Sequence, residues 1–172
     1  MPMYPGARRV ISIDPGLGGT GWAYWKTHKY PAAVGIVRDT AKDESLAIRC
    51  SELAGKLKRS IDAVTGQEYS GWHNDETYMF IELPQHMAHA AGVAAQAGAI
   101  YKLTFLVGYI ACAIGQCRVI VVNPSEWKGQ TPKDVIQRRI IRTLGQEKCN
   151  ELGIKTHAWD AVGIGLWAMG RL

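Results

Sequence analysis

The stretch RVISIDPGLGGTGWAYW, Arg9 to Trp25, limits the fold more than any other part of this chain. Its first half is an apolar run rich in β-branched residues, the composition of a strand buried on both faces. That run ends on one carboxylate, Asp14. Pro15, Gly16, Gly18 and Gly19 then let the backbone turn sharply, and a second apolar run follows. Strands are predicted over 8–14, 20–26 and 32–37. The short turns between them predict an antiparallel meander. An acid at the mouth of a core strand needs a reason, and the rest of the chain supplies two more of the same kind.

Beyond the meander, helical and strand periods alternate. Leu46, Cys50, Leu53, Leu57, Ile61 and Val64 recur at helical spacing, with Lys56, Lys58 and Arg59 outside the seam. A polar loop over 65–77 leads to YMFIELP, Tyr78 to Pro84, a strand with Glu82 near its end. Ala90 to Gly115 reads as a long buried helix, its seam running through Ala88, Gly92, Ala95, Ala99, Leu103, Leu106, Ile110 and Ile114. Lys102 near its middle would cost about 2.5–3.5 kcal/mol in a bilayer, which argues against a membrane span. RVIVVNP reads as another buried strand. Pro132 opens and Gly145 closes a helix with Ile136, Ile140 and Leu144 on one side and Arg138, Arg139 and Arg142 on the other. A last helix begins near Thr156, a residue type favoured at N-caps. Three strands, helix, strand, helix, strand and further helices make an α/β domain, a mixed central sheet with helices on both faces.

The 172 residues suit a single domain over 1–172, with 1–7 as a loose end. Twenty Lys and Arg against 15 Asp and Glu give a net charge of +5. That permits a polyanionic partner without requiring one. Cys50, Cys112, Cys117 and Cys149 form no C-x-x-C pair, which argues against zinc. They read as free thiols of a reducing compartment, Cys112 and Cys117 in or near the core. The opening residues lack the apolar run of a signal peptide, so a cytoplasmic location is expected, or another compartment that holds DNA.

Asp14, Glu82 and Asp160 share one setting: a strand end or first helical turn, each beside a residue that favours burial (Ile13, Ile81, Ala161). Burying a carboxylate without compensation costs several kcal/mol, and three together repel one another. Divalent cations resolve this. Mg²⁺ takes hard oxygen ligands and keeps positions open for water and phosphate, and two such ions about 3.5–4 Å apart can clamp a phosphodiester. Taken singly, each acid reads better as a solvated element end; the set of three carries the weight. His157 lies three residues before Asp160, on one helix face, where it suits metal ligation, water orientation or proton transfer. The GLGGTG turn lacks Gly-Lys-Ser/Thr and joins two strands, so it is no P-loop.

Four segments, in order, resemble the RuvC family of Holliday junction resolvases, within the RNase H-like superfamily. ISIDPGLGGTGWAYW is similar to that family's opening strand and turn, FIELPQ to its second acidic strand, NPSEWKGQTPKDVIQRRI to its lysine-bearing segment, and HAWDAVGIGLW to its C-terminal catalytic helix. The resemblance spans about Val10 to Trp167. It implies an RNase H-like fold, a homodimer, and Mg²⁺-dependent nicking of two strands of a four-way DNA junction, with Mn²⁺ as a substitute metal. By position, Asp14, Glu82 and Asp160 match the family's metal-binding acids. His157 falls where members carry a fourth acid or a histidine. Lys128 and Lys133 match basic residues near the scissile phosphate, though the stretch between them is shorter than in typical bacterial members. Gln85 and His86 stand in the neighbourhood of an aromatic residue that inserts at the junction centre in the family. With Lys128, Lys133, Arg138, Arg139 and Arg142 they form the expected DNA-binding set. The dimer contact is expected along Ala88 to Ala99, whose small residues let helix backbones approach closely.

Other readings stay open. A related nuclease of the same fold could act on other branched DNA or on RNA. A junction-binding module without catalysis is disfavoured because all three acids are present. Actin-like kinases also open with an acid, a glycine turn and a hairpin, but they repeat the motif in a second domain that 172 residues cannot hold.

Overall fold

Five strands form one sheet in the order β3–β2–β1–β4–β5. They are β1 (Arg9–Asp14), β2 (Thr20–Trp25), β3 (Ala33–Val37), β4 (Thr77–Glu82) and β5 (Arg118–Val122), and the helices are α1 (Leu46–Thr65), α2 (Val93–Ile114), α3 (Pro124–Trp127), α4 (Lys133–Leu144), α5 (Gln146–Glu151) and α6 (His157–Ala168). This computed structural model describes residues 9–26, 29–66, 77–83, 93–114 and 117–172, with the backbone alone over 93–97. β1, β2 and β3 pair antiparallel, as their short connections dictate. β1–β4 and β4–β5 pair parallel, each across a helical crossover. The sheet is therefore mixed.

Alternation along the strands divides the core in two. Ile11 and Ile13, Trp22 and Tyr24, and Met79 and Ile81 face α1 and α2. Val10, Ala23, Trp25, Phe80 and Val122 face α4 and α6. α1 begins at Ser45, whose side chain accepts the Ile48 N–H, and ends at Gly66 in the left-handed region, φ 64°. α6 lies close on the sheet because two glycines remove obstructing atoms: a Cβ at Gly21 would overlap the His157 carbonyl, and one at Gly165 would overlap the Trp25 indole. The Trp25 N–H instead donates to Ser12 Oγ at 3.2 Å, which satisfies two buried polar groups at once.

Several expectations need correction. β5 is an edge strand, not a buried one: Val119 and Val121 are exposed, and among the described residues no strand pairs beyond it. Pro124 opens α3 instead of ending that strand. α2 is buried along one face only. Leu106, Ile110 and Ile114 are buried, whereas Tyr101 and Phe105 are exposed, and Ala99 and Cys112 with them. Val64 is exposed at the last turn of α1. Thr156 does not cap α6: it has φ 36° and ψ −117°, and its side chain makes no capping bond. Residues 1–7, Ala88 and Gly92 lie outside the described residues, and the side chain of Ala95 does too. All four cysteines are free thiols. No helix among the described residues is long and apolar enough to cross a membrane.

Candidate active site

The register of the sheet brings two acids side by side. Ile13 pairs with Ile81 across β1 and β4, so Asp14 and Glu82 are the next residues along adjacent parallel strands, which run about 5 Å apart. Both continue the alternation of Val10 and Ser12, and of Tyr78 and Phe80. They therefore stand on the face that α6 covers. α6 contributes His157 and Asp160 from its first turn. Lys128 follows α3 directly, and Lys133 opens α4.

Each acid has a basic side chain beside it. His157 Nδ1 lies 2.8 Å from Asp14 Oδ2. Lys128 Nζ lies 3.4 and 3.3 Å from the two oxygens of Glu82. Lys133 Nζ lies 3.3 Å from Asp160 Oδ2. Among the described residues, no three His, Cys, Asp or Glu side chains close on one point as a finished metal cage. Three carboxylates face two lysines and an imidazole, and these partners do not offset burial at Asp14 and Glu82. Burial drives the Asp14 carboxyl above the usual range, beyond what the His157 hydrogen bond restores, and the charge of Asp160 adds to the rise. Burial likewise raises Glu82; Lys128 opposes it and Asp14 reinforces it. The hydrogen bond to Asp14 raises the His157 imidazole above its ordinary value, against its own burial. The donor set is three carboxylates and an imidazole, half-shielded from water, with burial not offset at two of the acids. It fits a hard divalent cation.

Arg138, Arg139 and Arg142 do not join this cluster. They lie exposed along the outer side of α4, and Arg138 pairs with Asp134 at 2.8 Å. Gln85 and His86 lie outside the described residues.

The sequence matches no protein-family model and no curated protein. The structure does find neighbours. Thermus thermophilus RuvC is similar with a TM-score of 0.63 at 17% identity, over 95% of this chain and 97% of that one. The structure of T. thermophilus RuvC in complex with a Holliday junction substrate gives 0.65 at 18% identity, over 92% and 90%. The chain has the RuvC fold. At so low an identity the likeness lies in the backbone path, and the side chains at the strand ends must be judged on their own geometry.

Two residues of this RuvC-fold chain were not singled out by sequence reasoning. Trp127 donates its indole N–H to Glu82 Oε2 at 2.6 Å; a tryptophan beside a lysine in the polar segment NPSEWKGQ was the available signal. Asp39, in the loop after β3, is with Asp14 one of two buried acids among the described residues. Its flanking sequence RDTAKDES reads as solvated loop and gives no sign of burial.

Proposed function

We propose that this chain is a structure-selective endonuclease that nicks two strands of a four-way DNA junction by metal-assisted phosphodiester hydrolysis. The observation that carries this reading is the pairing of Asp14 and Glu82 at adjacent strand ends, under a helix that adds Asp160 and His157, with basic partners that do not offset the burial of the pair. The fold neighbour solved with a Holliday junction substrate supports the choice of a four-way junction.

Asp14, Glu82, Asp160 and His157 would hold Mg²⁺, or Mn²⁺ in its place. Bound there, the metal supplies Lewis acidity at the phosphate and a lowered pKa for water. The chain's own groups do the rest. Lys128 and Lys133 exchange carboxylate for phosphate oxygens when DNA enters and meet the charge that develops during cleavage. With its Nδ1 on Asp14, His157 has one remaining ring nitrogen, which would either ligate the metal or accept a proton, but not both. Arg138, Arg139 and Arg142 present exposed cations to the flanking backbone, whose phosphates dominate affinity. Gln85 and His86 remain candidates for contact at the crossover. A two-fold homodimer would present two identical sites to a two-fold junction. The outward side of α2 suits that contact: Tyr101, Thr104, Phe105, Gly108, Tyr109 and Cys112 line an apolar hollow of about 570 Å³. An Ala95→Arg variant that still sediments as a dimer would remove the neighbouring small-residue seam from that interface.

The deciding experiment offers end-labelled four-way junction, linear duplex, three-way junction and RNA–DNA hybrid, each with Mg²⁺ and with EDTA. Paired symmetric nicks confined to the four-way junction and abolished by EDTA are expected. Faster cutting of the hybrid would transfer the activity to RNA.

A further inference from the structure

Glu82 has a second side-chain donor besides its lysine, and that donor carries no charge. The Trp127 indole N–H bonds to its Oε2 at 2.6 Å, and that ring is buried, 5% exposed. Three neighbours fix the ring. α3 is closed ahead of it by the Glu126 carboxylate, which accepts the Asn123 N–H at 2.6 Å. α6 makes room for it at Gly163, where a Cβ would lie only 2.6 Å from Trp127 Cζ3. The Lys128 ammonium sits over its face, 4.7 Å from the ring centre. A residue needed there only for bulk could be Phe or Leu. Tryptophan carries one polar atom, and it is directed at a candidate metal ligand.

We infer that Trp127 is the positioning residue of Glu82: its N–H engages Oε2, leaving Oε1, which meets Lys128 at 3.4 Å, as the oxygen to take a divalent cation, while its ring face keeps Lys128 at the site. This rests on the reading of Glu82 as a metal ligand. A carboxylate with one oxygen tied cannot rotate its two oxygens interchangeably, so its ligating geometry is fixed before metal arrives. Lys128 is held by the ring as well as by the carboxylate, so a cation that takes its place on Glu82 does not release it to solvent. It stays beside the position a phosphate would occupy. Trp127 thereby links α3, β4 and α6, the elements that carry Lys128, Glu82 and the His157–Asp160 turn.

Two replacements test this, Trp127→Phe and a site-specific benzothienylalanine at 127, which substitutes sulfur for the N–H in a ring of nearly the same shape. Mn²⁺ affinity of the DNA-free protein is read by calorimetry. The single-turnover rate at saturating four-way junction is read across Mg²⁺ concentration, and junction affinity is read in Ca²⁺. Both variants should weaken Mn²⁺ binding, and lower the rate at limiting Mg²⁺, by about tenfold, the usual scale for losing a hydrogen bond to a metal ligand. Junction affinity should stay within about twofold, because its main source is phosphate contact. A benzothienylalanine variant that matches the wild type in Mn²⁺ affinity reduces Trp127 to packing and overturns the inference. If the wild-type protein cuts no junction, the nuclease reading fails and the Mn²⁺ titration alone decides: weakened binding in both variants sustains the role of Trp127, and unchanged binding, or none in the wild type, ends it.

Discussion

Asp39 and Asp14 expose nearly the same small fraction of their surface, 6% and 8%, but Asp14 lies deeper among protein atoms, and they behave in opposite ways. Asp39 accepts the Ala41 N–H at 2.9 Å and the Arg49 guanidinium at 2.7 Å. Burial opposes its charge, but these donors outweigh it and hold the carboxyl below its usual range. Asp14 has one imidazole, and its carboxyl is pushed up. Glu82 has an indole N–H and a lysine no closer than 3.3 Å, with the same outcome. A buried acid given matched donors staples a loop to α1. Acids set deeper, with fewer or longer contacts, keep a demand for positive charge, and that demand is what a cation from solution can meet.

The largest test of this contrast is catalytic. Asp14→Asn, Glu82→Gln or Asp160→Asn should each lower single-turnover cleavage by at least about a thousandfold, the scale of losing several kcal/mol of transition-state charge stabilisation. Junction affinity should hold or improve. Asp39→Asn, equally little exposed, should leave the rate within about twofold. Full activity in any of the first three removes that residue from the site. Next in size, Lys128→Ala and Lys133→Ala should slow cleavage by about a hundredfold, near 3 kcal/mol, with a much smaller change in affinity. Collapsed affinity with a normal rate at saturation would recast them as anchors.

Stability should then separate the acids with opposite signs. Asp39→Asn strips Arg49 of its charged acceptor, a loss of about 2 kcal/mol, and should lower the melting midpoint by roughly 4–8 °C in a chain of this length. A depressed carboxyl contributes at neutral pH and loses that contribution as pH falls through its folded value, so the deficit of the variant should shrink only below about pH 4. Asp14→Asn removes a charge that the fold disfavours, and the amide oxygen can still accept from His157. It should raise the midpoint by roughly 2–4 °C at pH 7, about 1 kcal/mol. That gain should vanish as pH falls through the raised folded value toward the ordinary carboxyl range, where wild-type Asp14 also becomes neutral. Two midpoints that move together would erase the distinction.

The smallest effect is in the backbone. Lys155 to Ala158 form a turn closed by the Ala158 N–H on the Lys155 carbonyl at 2.8 Å, with Thr156 at φ 36°, ψ −117°. That is near the first central position of a type II′ turn, which favours glycine. Relief of strain of about 1–3 kcal/mol, less glycine's extra entropy of about 0.5–1 kcal/mol, should leave Thr156→Gly roughly 1 kcal/mol more stable by denaturant melts.

That turn also shows where sequence stops informing. A threonine before an apolar helix has the chemistry of a cap, but its backbone is set by the need to deliver His157 to Asp14, a contact across 143 residues. The meander, the helix seams and the acids at element ends were legible because period and residue type encode them locally. β5 was misread for a related reason: RVIVV encodes apolar faces, and nothing in it says whether a neighbour pairs beyond. The outward side of α2 escaped because Tyr101 and Phe105 look like core residues until helix and sheet are set against each other. Trp127 is a single residue without period, and its role exists only through Glu82, 45 positions earlier.

The acids come from β1, β4 and α6, and α6 follows every strand in the chain. During synthesis, which proceeds N-terminus first, all five strands are made before the helix that covers Asp14 and Glu82. A chain extended only through β5 therefore lacks His157 and Asp160. Under the proposed activity, cutting power waits for α6 to dock through Gly21 and Gly165, and a chain interrupted before that step is harmless to nearby DNA.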